Sequence, residues 1–116
     1  GTHNAVAGPH AEEAAKHAKV ALQHGKEMLD SGSDMKAFIM HAKATIKHAD
    51  EAIMHAKKDV EQTHSANVQA FIDHTQEGIK HIKEAIRQAE KNDASAAMAH
   101  GKEGMKHLRA GYSKLT

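Results

Sequence analysis

The sequence contains no cysteine, which excludes disulfide bonds, cysteine zinc fingers, iron–sulfur clusters and thiol catalysis together. The lack of cysteine leaves the cellular compartment open, because a helical protein can be stable in any redox environment. Proline occurs once, as Pro9, so no residue of this kind interrupts the chain after its first few positions. Apolar runs long enough to cross a membrane are also absent, and no signal peptide is recognisable.

Aromatic residues and an excess of charge of one sign are equally scarce. The 116 residues include only two phenylalanines and one tyrosine, which is too few for a base-stacking surface. The 16 basic and 15 acidic residues give a net charge of +1, so no overall field attracts nucleic acid or an anionic membrane. We therefore expect neither nucleic acid nor membrane as a partner. If the protein is exported, Gly1 follows a cleavage site or a tag scar.

The remaining composition favours helix, and short polar breaks divide the chain into four segments. The pattern predicts helices over about 9–30, 34–62, 66–91 and 95–112, preceded by a flexible tail over 1–8. Breaks this short place consecutive helices side by side and antiparallel. The sequence thus predicts an all-α fold, a single domain over 1–116 with the up-down-up-down topology of an antiparallel four-helix bundle.

Histidine is the one residue type in marked excess, with 12 copies. Segments 48–55, 74–81 and 100–107 share the pattern His-x-x-Glu-small-apolar-x-His. One heptad register fits all four helices, with small or apolar residues at positions a, d and e facing the core. His64 lies outside this register, in a break. The predicted helices contain ten histidines, and all of them occupy position g, at the edge of the apolar stripe: His10, His17, His24, His41, His48, His55, His74, His81, His100 and His107.

The repeat glutamates occupy position c, three residues after one histidine and four before the next, and residues at these spacings are neighbours on a helix. Two histidines seven residues apart are separated by about 10.5 Å along the axis and cannot share an ion. The remaining ligands should therefore come from the g edge of an antiparallel neighbour, across an open groove. The predicted metal ligands are the ten histidines together with Glu13, Glu27, Glu51, Glu77 and Glu103.

Sites of two or three imidazoles, one carboxylate and water suit Cu(II), Ni(II) and Zn(II), with copper binding most strongly. The sequence therefore predicts a protein that binds several divalent metal ions. A separate hypothesis concerns the N-terminus, where a free amine, two backbone amides and His3 could bind Cu(II) or Ni(II) in a square plane. The alternative there is that Gly1 and Thr2 are a tag scar.

Two other classes of function compete with metal binding. Histidines near their ordinary pKa of about 6.5 would charge together on acidification and loosen the bundle, which would make the protein a pH-responsive structural bundle. An enzyme is disfavoured, because the sequence offers neither a nucleophile–base pair nor a phosphate-binding loop. Metal binding explains better why ten histidines share one heptad position that glutamate, lysine or glutamine usually fills.

From about residue 10 to its end, the chain resembles the small metal-binding proteins of ammonia-oxidising bacteria. The resemblance is strongest in segments 17–27, 41–48 and 106–110, which read HAKVALQHGKE, HAKATIKH and KHLRA. It implies a periplasmic, monomeric four-helix bundle that binds several copper ions and other divalent metals for storage, buffering or tolerance. The chain departs from the pattern at Gln88, which replaces a histidine, and at Val20 and Ala44, which replace glutamates. We expect weaker sites at these places.

Overall fold

The computed structural model describes residues 8–116 and contains four α-helices in this range: α1 (Pro9–Asp30), α2 (Met35–Thr63), α3 (Ala66–Glu90) and α4 (Ala94–Ser113). Every predicted helix is confirmed, with its ends within one residue of the expected positions. The tail predicted over 1–8 and the hypothesis about His3 lie outside the described residues, apart from Gly8.

The helix ends are defined by local hydrogen bonds that the sequence provides. The side chains of Asp34, Ser65 and Asp93 each accept a hydrogen bond from the backbone N–H three residues later, at 3.1, 3.2 and 3.1 Å. Such caps satisfy amide groups that the first turn of a helix leaves unpaired. His64 and Asn92 follow the ends of α2 and α3 with left-handed backbone angles (φ 54° and 61°), a common way to terminate a helix.

As predicted, the four helices form an antiparallel bundle. The bundle measures 46 × 19 × 18 Å along its principal axes. The closest packing is within two pairs of helices, α1 with α2 and α3 with α4. Contacts between α2 and α3 are fewer, and an open groove of about 910 Å³ lies between them, over Ile53 and Ile79. The bundle is therefore a pair of tight helical hairpins packed against each other.

Small residues explain the close approach within each hairpin. The core consists mainly of positions a and d, and many of these are alanine or glycine. In the α3/α4 hairpin, a Cβ atom built on Gly78 would lie 2.8 Å from the carbonyl oxygen of Gly104, so the two backbones are nearly in contact. Only residues without a side chain permit this distance.

Position e differs from the expectation of a uniformly buried stripe. Ile53, Ile79 and Met105 are buried, whereas Leu22 and Ile46 are only partly covered. The reason is that e residues lie between the two hairpins, where the packing is looser. Within residues 8–116, no helix combines the length and the apolarity that crossing a bilayer requires.

Because the core is complete without histidine, we expect the chelator-treated protein to remain helical by circular dichroism. A metal that binds only the folded state should raise the melting temperature. The increase should be about 10 °C for one site when the free metal concentration is a hundred times the dissociation constant. Magnesium at the same concentration is the control, since imidazole ligands do not favour it. A chain that is unstructured until zinc is added would show instead that the ions are structural.

Candidate metal sites

The repeat histidines face each other across the two tight hairpins. Antiparallel packing brings the g edges of α1 and α2 together, and likewise those of α3 and α4. The first interface, called the α1/α2 seam, contains His10, His17 and His24 from α1 and His41, His48 and His55 from α2. The second, called the α3/α4 seam, contains His74, His81, His100 and His107.

Within each seam the imidazole rings alternate between the two helices. Along the α1/α2 seam the order is His10, His55, His17, His48, His24, His41, and successive ring centroids are 6.4, 5.2, 6.3, 5.3 and 6.3 Å apart. In the α3/α4 seam the order is His74, His107, His81, His100, with separations of 6.4, 5.3 and 6.5 Å. Each ring thus fills the gap of about 10.5 Å that the heptad leaves on the opposite helix.

The ten seam histidines lie between core and solvent, since all are half-buried. Exposed side-chain fractions range from 23% for His41 to 32% for His24 among the five histidines that approach a glutamate. The Nδ1 atoms of His24, His48 and His55 are buried without a hydrogen-bond partner. Glutamate oxygens lie 3.3 and 3.4 Å from the first two of these atoms. Because buried polar atoms normally form hydrogen bonds, nitrogens that form none are candidate metal ligands.

Glutamates at position c reach histidines on both helices of the α1/α2 seam. The Oε1 atom of Glu51 lies 3.4 Å from Nδ1 of His48 and 3.9 Å from Nδ1 of His17. Glu27 has the same relation to His24 and His41, at 3.3 and 3.7 Å. One carboxylate therefore joins two imidazoles that belong to different helices.

Four groups of two histidines and one glutamate place their possible ligand atoms within 4.8 Å of one another in the described residues. They are Glu13–His17–His55, His17–His48–Glu51, His24–Glu27–His41 and His81–Glu103–His107. Ligand atoms around a tetrahedral zinc ion are about 3.3 Å apart, given bonds of about 2.0–2.1 Å. Small rotations of these half-exposed side chains would close each group around an ion, and water would complete the coordination.

The other predicted ligands lie along the same seams but outside these groups. His10, His74 and His100 each face one imidazole of the opposite helix, at 6.4 to 6.5 Å. Glu77 forms an ion pair with Lys80 at 3.8 Å. His64 is exposed beyond the end of α2, in agreement with its position outside the heptad register.

The two positions where the repeat lacks glutamate flank one pair of rings. Glu27 of α1 faces His41 of α2, and the helices are antiparallel. Seven residues earlier in α1 and seven later in α2, Val20 therefore faces His48. In the same way Glu51 faces His17, so Ala44 faces His24. His24 and His48 are stacked at 5.3 Å, but no glutamate approaches both rings. Glu27 lies beside His24 and His41, and Glu51 lies beside His48 and His17. No group in the described residues combines these two histidines.

Glu84 is a carboxylate of the α3/α4 seam that is not among the ligands predicted from the sequence. Its side chain accepts hydrogen bonds from Nε2 of Gln88 and Nε of Arg87, both at 2.8 Å. The Gln88 hydrogen bond, and then that of Arg87, lowers the pKa of Glu84, and His100 contributes in the same direction. These interactions stabilise the fold at neutral pH and are lost as the pH falls through the lowered pKa. The available signal was position c, since Glu84 follows His81 by three residues.

Gln88 marks a place where a further group could be built. His81 of α3 stacks on His107 of α4 at 5.3 Å, and the helices are antiparallel. Gln88 lies seven residues after His81, and His100 lies seven residues before His107. Gln88 therefore faces His100. In Q88H, Glu84, His100 and the new imidazole would reproduce the group formed by Glu103, His81 and His107. We expect this variant to bind one more zinc ion in native mass spectrometry, whereas the control Q88A gains none. Equal zinc content in both variants would contradict this interpretation of the seam.

Comparison with known proteins agrees with the chemistry of the seams. A family model described as small metal-binding protein matches residues 1–111, which is nearly the whole chain, and this confirms the resemblance seen in the repeats. No curated protein matches the sequence. The description of the family names metal binding, and the His/Glu groups are compatible with it. The chain is therefore a member of the small metal-binding protein family.

Proposed function

We propose that the protein binds several divalent transition-metal ions along its two histidine seams and acts as a reversible metal store or buffer. The observation that carries the proposal is the repetition of one ligand set, two imidazoles and one carboxylate, in four groups. A single buried centre would instead suit a structural or redox role. Repeated groups of the same composition suit uptake of many ions over a range of concentrations.

The exposure of the ligands supports a buffering role. The glutamates of the two groups centred on Glu27 and Glu51 are 56% and 39% exposed, and their histidines are half-buried. An ion held there keeps contact with water, so ligands can exchange without unfolding of the bundle. Storage and delivery both require such exchange.

We propose copper as the favoured ion, with nickel and zinc as further cargo. The ligands are nitrogen and oxygen without thiolate, and for such sites Cu(II) binds most strongly among the common divalent ions. Competition on the metal-free protein tests the order. Copper should displace bound zinc and nickel at equal concentration, and retention of zinc against copper would overturn it.

The cellular setting is also a proposal. The resemblance to proteins of ammonia-oxidising bacteria supports a periplasmic location, which cell fractionation tests. The same resemblance supports a monomer, and light scattering of the metal-loaded protein tests it. The near-neutral charge supports metal ions, rather than nucleic acid or membrane, as partners. Storage of ions by these ligand groups involves no catalytic step.

A pH-responsive structural bundle is the alternative, because parallel imidazoles 5.2–5.3 Å apart would repel each other when both are protonated. Titration of the metal-free protein with Cu(II), followed by d–d absorbance and native mass spectrometry, separates the two functions. Metal storage predicts three or more bound ions at neutral pH. Saturation at one ion or none would favour the pH-responsive bundle.

A further inference from the structure

His17 occupies a unique position among the ligand groups. Its ring lies between those of His55 and His48, with centroids 5.2 and 6.3 Å away and ring planes inclined by 7° and 22°. It is the only residue that belongs to two of the four groups in the described part of the chain, Glu13–His17–His55 and His17–His48–Glu51. The other two groups share no ligand with any neighbour.

A shared histidine restricts what the two groups can bind. A neutral imidazole has one nitrogen lone pair free for a metal, because its other nitrogen carries a proton. His17 can therefore complete one group or the other, but not both at once. The ligands on either side are of the same kind, since each side offers one half-buried histidine of α2 and one glutamate: His55 with Glu13, and His48 with Glu51.

We propose that His17 is a switching ligand, which lets one ion occupy either of two overlapping sites in the α1/α2 seam. The four groups then hold three tightly bound ions: one at the overlapping pair, one at Glu27 and one at Glu103. The ion at His17 has two alternative ligand pairs, His55 with Glu13 and His48 with Glu51. This inference rests on the proposed metal binding and specifies how the seam uses it.

The range of this exchange is limited by the sequence. Beyond His48 the next ring is His24, and the carboxylates that would serve this pair are replaced by Val20 and Ala44. An ion leaving the overlapping pair thus meets no complete group until His24–Glu27–His41, whose ligands are separate. The α1/α2 seam is accordingly divided into a switching half and a fixed half.

Alanine variants test the proposal through the number of tightly bound zinc ions. Zinc is the probe because the amine–amide arrangement considered at the N-terminus is specific for Cu(II) and Ni(II), and native mass spectrometry against a competing chelator gives the count. H48A and H55A should each keep the wild-type number, since the remaining group still uses His17. H17A and the double variant H48A/H55A should each lose one ion. H41A is the matched control and should also lose one, because its group has no alternative.

The opposite pattern would overturn the proposal. If H48A and H55A each lose one ion, the two groups bind independently and His17 is not shared. If H17A loses none, His17 is not a ligand of the tight sites. Circular dichroism of each variant excludes unfolding as the cause of a loss. Failure of the wild-type protein to bind any zinc would be a different result, because it removes the proposed function itself.

Discussion

Replacement of Gly78 by alanine should lower the free energy of unfolding by about 1–3 kcal/mol, the usual range for overpacking. The new Cβ atom would lie 2.8 Å from the carbonyl oxygen of Gly104, which is backbone and cannot rotate away. The helices α3 and α4 would have to separate, against the gain of about 1 kcal/mol that alanine brings to a helix interior. Urea denaturation measures the change. Because the added Cβ would also lie 3.3 Å from Cβ of His107, zinc affinity of the α3/α4 seam should fall as well.

Gly25 provides a matched control in the first hairpin. An added Cβ there would meet the Sδ and Cε atoms of Met105, which form the end of a flexible side chain that can rotate away. G25A should therefore be close to neutral in urea denaturation. Equal losses in G25A and G78A would mean that the close backbone contact between α3 and α4 does not limit the packing.

Once the pH falls below the ordinary imidazole pKa of about 6.5, zinc affinity should fall by up to about a hundredfold for each further pH unit. Each group contains two histidines that must be neutral to bind, so two protons compete with each ion. Protons bind the free ligands as the pH falls, so affinity decreases towards acid and reaches a plateau above neutrality. Chelator competition at a series of pH values on both sides of the imidazole pKa, corrected for protonation of the chelator, measures the slope.

The control for this pH series is a constant salt concentration, which keeps the screening of the charged side chains the same in every sample. Affinity that does not change across the series would show that carboxylates alone hold the ions. A decrease of only about tenfold per pH unit would show that one imidazole, rather than two, is the ligand at each site.

The sequence was sufficient to predict the helices because the signals for their ends are local. Asp34 and Ser65 cap their own helices through hydrogen bonds that span three residues, so no knowledge of the fold was needed. The heptad register also placed the ten histidines at the half-buried edge of the core. The uneven burial of position e was not predictable. Leu22 and Ile53 are both large aliphatic residues at this heptad position, and they differ in which helices surround them.

The ligand residues were proposed from the repeat, but their grouping depends on the packing. Antiparallel contact was expected to join g edges, yet only the structure shows that α1 pairs with α2 and α3 with α4. The relative height of the facing helices decides that Glu51 reaches His17 and that Val20 and Ala44 flank one pair of rings. A shift of one heptad would change every group without changing the sequence pattern.

The most direct test of metal binding by the seam histidines is a variant in which all ten are replaced by glutamine, with His3 and His64 retained. Glutamine is a good helix former, so the bundle should keep its helical circular dichroism spectrum. Equilibrium dialysis against zinc at neutral pH, with the wild-type protein in parallel, gives the number of ions bound. The wild-type protein should bind several ions and the variant no tightly bound ion. Retention of the wild-type zinc content by a folded variant would contradict this expectation.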